Sequence, residues 1–181
     1  MPIRFSNPKL LPINLKISKV EKEIEIARSF LEDATDLPAD KGRYVSRLLG
    51  LAVHNVYNGI EQIFEDVAKE LDGGKPKGDT THADLLQLMA VETPYRPAMI
   101  EMTDLDGPGS FDDLRRFRHV VRHSYGMELR EAEVRDKFTA ATDRIWPAVI
   151  ASLERLRDHL DKDVEDKPDP QSSLDDTGLD L

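Results

Sequence analysis

Leu48-Leu49-Gly50-Leu51-Ala52-Val53-His54-Asn55-Val56-Tyr57-Asn58-Gly59-Ile60-Glu61-Gln62-Ile63-Phe64 decides the fold class of this chain. Within it and just after it, Leu48, Leu49, Ala52, Val53, Val56, Ile60, Ile63, Phe64, Val67 and Leu71 recur at three- and four-residue spacing. That rhythm places apolar side chains on one face of an α-helix. It predicts one long helix from Lys41 to Leu71, stopped by Gly73-Gly74-Lys75-Pro76, where glycine and proline together break helical geometry.

Outward from this helix the chain keeps the same character. Toward the N-terminus, Ser18-Lys19-Val20-Glu21 has the form of a capping box, and Val20, Ile24, Ala27 and Leu31 follow on one face, so a helix is expected to start at Ser18 and to end at Asp36-Leu37-Pro38. Toward the C-terminus, Thr81-His82-Ala83-Asp84 reads as a second capping box before a short helix. Pro94, Arg96 and Pro97 bracket a turn, Ala98 to Met102 reads as another helical turn, and Asp106-Gly107-Pro108-Gly109 is a loop. Ser110-Phe111-Asp112-Asp113 opens the next helix, its two acids suiting the positive helix N-terminus, and Gly126 is placed to end it. A last helix is expected from Glu131 to His159, with Val134, Phe138, Ala141, Ile145, Val149, Leu153, Leu156 and Leu160 on one stripe and a kink at Pro147. No strand pairing and no repeat is visible. The fold class is all-α, an antiparallel helical bundle of four to five main helices. Residues 1–16 are expected as an N-terminal arm, 17–160 as the helical domain and 161–181 as an acidic, disordered tail.

The 181 residues suit one domain with a sizeable core. The absence of cysteine excludes disulfides, thiolate metal sites and cysteine nucleophiles. Pro2, Pro8, Pro12, Asn7 and Lys9 interrupt the first sixteen residues, so no signal-peptide apolar core is read there. No apolar run approaches the roughly 20 residues of a membrane span, and a cytoplasmic protein without a membrane partner is expected. The net charge is −10, which argues against broad, non-specific nucleic-acid binding. Much of it lies in residues 161–181, whose eight acids face only Lys162 and Lys167. Against the milder remainder, Arg115, Arg116, Arg118 and Arg122 form a local positive patch, and local field is what steers a phosphate.

That patch lies in Arg118-His119-Val120-Val121-Arg122-His123-Ser124-Tyr125, where two arginines, two histidines and a tyrosine fall within eight residues. Guanidinium groups neutralise phosphate charge, and imidazole exchanges protons near neutral pH. On a helical wheel of about 100° per residue, Leu114, Phe117 and Val121 form the core face, while Arg115, His119, Arg122 and His123 share a polar arc. Arg118 and His123 stand about 140° apart on that wheel. One helix does not bring them to one atom unaided, whereas a second copy facing the first would, which points to a dimer with a composite site.

Arg118-x4-His123-x-Tyr125 resembles the R-x4-H-x-Y motif of HepT toxins in the HEPN superfamily. His54 to Phe64 and Arg116-Phe117-Arg118-His119-Val120-Val121-Arg122 are similar in wording to the HepT-like group. The likeness covers roughly residues 45–160. It implies a HEPN-like, dimeric bundle acting as a metal-independent endoribonuclease toxin of a type VII-like toxin–antitoxin module, in which the ribose 2′-OH attacks the adjacent phosphate. Carried over, Arg118 stabilises the phosphoryl oxygens, His123 is the general acid or base, and His119, Arg122 and Arg115 support RNA binding. Arg122 beside His123 disfavours its protonated form, which suits a base. The likeness also implies that a minimal nucleotidyltransferase antitoxin adenylylates Tyr125, adding charge and bulk in the RNA cleft. The implied partners are therefore RNA, a second copy of the chain and that antitoxin, with no cofactor.

Other readings stand beside these. His119 and His123 have a metal-compatible i, i+4 spacing, but no carboxylate lies between them and Arg122 repels a cation, so no metal is expected. The arginines could instead pair with carboxylates of neighbouring helices on a solvated face, in a non-catalytic helical dimerisation module. His54 and Tyr57 are expected to pack and hydrogen-bond, lining the dimer cleft. His82 is expected in a first helical turn.

Overall fold

The computed structural model describes residues 3–34, 42–78, 80–123 and 129–165, with the backbone alone at residues 123 and 163–165. The fold class is all-α. The helices are α1 (Leu11–Asp33), α2 (Gly42–Leu71), α3 (Thr81–Met89), α4 (Met102–Leu105), α5 (Phe111–His123), α6 (Glu131–Thr139) and α7 (Trp146–Glu165), the last two joined by a π-helical turn, Ala140–Ile145. Among the described residues the only β pairing is an isolated bridge between Thr93 and Arg96. No helix there is long and apolar enough to cross a membrane.

The predicted stripe of α2 is the centre of the core: Leu49, Ala52, Val53, Val56, Ile60, Ile63, Phe64 and Val67 are all buried. α1 runs antiparallel beside it. Lys16 reaches Asp66 at 2.6 Å, Asn55 donates to Glu23 at 2.9 Å, and between these pairs Gly59 leaves room for Val20, which a methyl group there would strike. α5 lies antiparallel along another side, with the Phe64 and Phe111 rings 5.8 Å apart at one end. At the other end, a Cβ on Gly50 would meet Val121 at 3.6 Å and Leu129 at 3.1 Å. Gly50 thus sets how closely α5 and the segment leading into α6 approach α2. Gly73, at φ 78°, turns the chain out of α2 in a conformation that L side chains resist.

Helix starts differ from expectation in three places; one is the turn expected over Ala98 to Met102, where the chain is not helical until α4 begins at Met102. α1 begins at Leu11, not Ser18, because Pro12 sits in its first turn, where no N–H is required. Ser18 lies inside the helix and its hydroxyl donates back to the Asn14 carbonyl at 3.2 Å. Ahead of α1, the Asn14 side chain clasps the backbone of Phe5 through bonds of 2.9 and 3.0 Å, and Ile3 and Phe5 are buried. The third difference is at α3, whose cap is Thr80 rather than Thr81; the Thr80 hydroxyl bonds the Asp84 carboxylate at 2.6 Å instead of capping a backbone N–H. The start of α5 matches: the Asp113 N–H donates to Ser110 Oγ at 3.1 Å, and the Asp113 carboxylate accepts from the Gly109 N–H at 2.6 Å. Burial disfavours the charge on Asp113, but the hydrogen bonds from Lys137 and Gly109 outweigh it and hold the carboxyl below its ordinary value.

The expected kink at Pro147 takes the form of a widened turn just before it. The Trp146 N–H bonds the Ala141 carbonyl, five residues back. Proline has no N–H for the carbonyl four residues earlier, and a π turn absorbs that loss without ending the helix. The stripe Val134, Phe138, Ala141, Ile145, Val149, Leu153 and Leu156 stays buried throughout. The helix then continues to Glu165.

Between α3 and α4 the chain is organised by a side chain whose burial composition gave no reason to expect. Arg96 is fully buried. Its guanidinium donates to Asp72 at 2.9 Å and to the carbonyls of Leu88, Val91 and Pro97 at 2.9, 3.0 and 3.1 Å.

Candidate functional site

Leu114 and Phe117 are buried and Val121 packs on the core, as the wheel of α5 requires. This fixes the direction of the polar side chains from Asp112 to Arg122. His119 and Arg122 point outward and are exposed. Arg115 bonds Asp112 at 2.7 Å, and Arg116 also pairs with Asp112 and approaches Asp106 at 3.9 Å. Asp112 therefore holds two of the four arginines of the patch in the first turns of the helix.

Arg118 behaves differently. Its side chain is 18% exposed, against 66% for Arg116, because it lies at the edge of the core face and turns onto α2. Its Nε donates to Asn58 Oδ1, and Nη2 lies 3.4 Å from Glu61 Oε2. The other carboxylate oxygen of Glu61 is 2.7 Å from Nδ1 of His82, at the start of α3. The amide nitrogen of Asn58 is 2.8 Å from Nε2 of His54. A line of five side chains, His54–Asn58–Arg118–Glu61–His82, thus crosses three helices with the guanidinium at its centre.

The electrostatics follow from this placement. Burial and then the Arg118 charge hold the His54 imidazole below the ordinary histidine value of 6.5; Arg122 adds to this, and Glu61 opposes it. His54 is therefore neutral near pH 7. Tyr57, one position before Asn58, is buried with a hydroxyl that has no hydrogen-bond partner among the described residues, and burial followed by the Glu61 charge pushes its pKa well up. Such a phenol stays protonated and belongs to the wall of the site.

Of the residues expected to carry chemistry, Arg118 is drawn into this line, and Arg122 is close enough for its charge to act on His54. Arg115 belongs to the Asp112 pair, and His119 lies on the exposed face. The side chain of His123 and the whole of Tyr125 lie outside the described residues. Asn58 and Glu61 were not anticipated as site residues. A signal for them existed: His54, Asn58 and Glu61 stand at i, i+4 and i+7, one face of a helix that turns polar in the midst of an apolar stripe.

Comparison with curated proteins and with solved structures gives no match. A family model described as HepT-like protein matches residues 48–160, a span that opens in α2, contains all five side chains of the line and the Arg118-x4-His123-x-Tyr125 motif, and covers more than half of the chain. The chain belongs to the HepT-like protein family.

Proposed function

We propose that this chain is a metal-independent endoribonuclease toxin of the HEPN type, working as a homodimer with an R-x4-H site from each copy in one cleft. The observation that carries the reading is Arg118, the motif arginine, turned inward and held by Asn58 and Glu61 within the matched span. A guanidinium fixed in direction is a preorganised partner for charge developing on phosphoryl oxygens. His123 takes the proton from the ribose 2′-OH, the 2′ oxygen attacks the adjacent phosphorus, and the bond to the 5′ oxygen breaks. The leaving oxygen takes up a proton from the acid form of the second motif histidine or from solvent. The products are a 2′,3′-cyclic phosphate and a 5′-hydroxyl end. His119, Arg122 and Arg115 line the approach of the RNA.

Tyr44 and Leu51 on α2 and Val120 on α5 are large apolar groups about half exposed on the helices that form the site, which supports a second copy packing there. Adenylylation of Tyr125 by a minimal nucleotidyltransferase antitoxin brings nucleotide phosphates to the end of the motif helix and blocks RNA. The chain acts in the cytoplasm. A non-catalytic dimerisation module is the competing reading, favoured by the engagement of Arg115, Arg116 and Arg118 with carboxylates of the same chain.

The deciding experiment is RNA cleavage in EDTA by unmodified protein, with Arg118→Ala and His123→Ala inactive yet folded by circular dichroism. Intact RNA after incubation with unmodified wild type overturns the enzyme reading. For the switch, incubation with the antitoxin and ATP should add one AMP to a peptide containing Tyr125, and AMP found only elsewhere removes that assignment.

A further inference from the structure

The line from Arg118 to His54 has a direction that the chemistry of its members enforces. A guanidinium donates hydrogen bonds and never accepts them. The Asn58 atom facing Arg118 Nε is therefore the carbonyl oxygen, Oδ1. That leaves the amide nitrogen, a donor only, 2.8 Å from His54 Nε2. Nε2 must then present a lone pair, so neutral His54 carries its proton on Nδ1.

The geometry points to Asn58 and His54 as a positioning pair for Arg118: the unprotonated Nε2 of His54 holds the Asn58 amide in the one orientation that aims Oδ1 at the guanidinium. An asparagine amide is nearly symmetric in shape, and its orientation is decided by what lies on each side. If His54 gains a proton, Nε2–H becomes a donor that selects the flipped amide. The flipped amide turns its NH2 toward Arg118 Nε–H, two donors face each other, and the guanidinium loses its Asn58 bond and with it one of the two contacts that aim it. The charged groups facing His54 are Arg118 and Arg122 of α5 and Glu61 of its own helix, and the two arginines keep the proton off. His54 and Asn58 thus act on the reaction through Arg118 and need not touch RNA. This rests on the ribonuclease reading only for its consequence in turnover; the hydrogen-bond direction stands without it.

The test has one arm free of RNA and one with it. In the full-length protein near pH 7, nitrogen-15 NMR should show His54 protonated on Nδ1 and bare on Nε2, and a slowly exchanging Arg118 Nε–H. Asn58→Asp, which cannot donate to His54, should raise the His54 pKa and move the proton to Nε2. Asn58→Leu should speed exchange of the Arg118 Nε–H. A wild-type His54 protonated on Nε2 overturns the inference whether or not RNA is cut. In the second arm, Asn58→Leu should lower kcat on RNA by about 10²-fold, the scale of a misplaced group, with a smaller change in KM. His54→Leu should fall similarly, and His54→Gln, whose carbonyl can accept the same bond, should recover most of the loss. Unchanged kcat in folded Asn58→Leu overturns the positioning role. If wild type itself cuts no RNA, the ribonuclease reading fails, and the first arm still decides the pair.

Discussion

Two arginines of this chain turn inward, and they differ in how deeply they are buried and in the kind of group that holds them. Arg96 is completely buried, and its acceptors are a carboxylate and three backbone carbonyls, all within 3.1 Å. Those carbonyls belong to Leu88, Val91 and Pro97, so one side chain ties the end of α3 to the turn after it and, through Asp72, to the end of α2. Arg118 keeps 18% of its side chain exposed, and its partners are the side chains of Asn58 and Glu61. Its approach to Glu61 is 3.4 Å, long for an ion pair of full strength. A charge sealed among backbone acceptors holds structure; under the proposed function, the charge left at the edge of solvent meets the phosphate.

The sharpest way to break this comparison is to remove each guanidinium in turn. Arg96→Leu leaves Asp72 buried without its partner and should cost about 3–5 kcal/mol of unfolding free energy in urea titration. Arg118→Ala should cost only about 1.5–3 kcal/mol, the scale of one hydrogen bond to a charged group, because Glu61 keeps His82. Its main effect should be on cleavage, a loss on the order of 10²–10³ in kcat. Equal destabilisation by the two substitutions would end the distinction. The next effect is on pH dependence. The His54 pKa is lower in the folded chain than its ordinary 6.5, so below about that pH the unfolded chain takes up a proton first. Stability is therefore full above pH 6.5 and falls as pH drops through the folded value. Urea midpoints of wild type should decline through this window more steeply than those of His54→Gln. The smallest effect is expected where both partners are exposed. Arg28 and Asp143 meet at 2.7 Å with more than half of each side chain in solvent, and Arg28→Ala should change stability by less than about 1 kcal/mol.

Much of the architecture was legible because it depends on local pattern. The α2 stripe, the glycine stop after it and the Ser110 cap each need only residues within a few turns of one another. The Ser18 start failed for a local reason as well: the S-x-x-E spacing that caps a helix also occurs inside one, where the serine bonds a carbonyl four residues back. The π turn at Ala140–Ile145 was visible only as a proline irregularity, since the sequence marks where a hydrogen bond is lost and not how the neighbouring turns absorb it. At the site, the wheel of α5 placed Arg118 beside the core face but named no partner for it.

The apolar faces of the long helices and the motif that resembles HepT toxins are legible in the sequence, because both are properties of short windows. Tertiary structure decided which partners the two inward arginines meet. Asn58 and Arg118 are sixty residues apart, and Asp72 and Arg96 meet only because the chain turns back past the end of α2. Periodicity states which face of a helix is buried, but the register at which one helix lies along another is set by how bulky and absent side chains interlock, here Val20 into Gly59 and Val121 against Gly50. That register, fixed by packing, brings His54, Asn58 and Glu61 opposite Arg118.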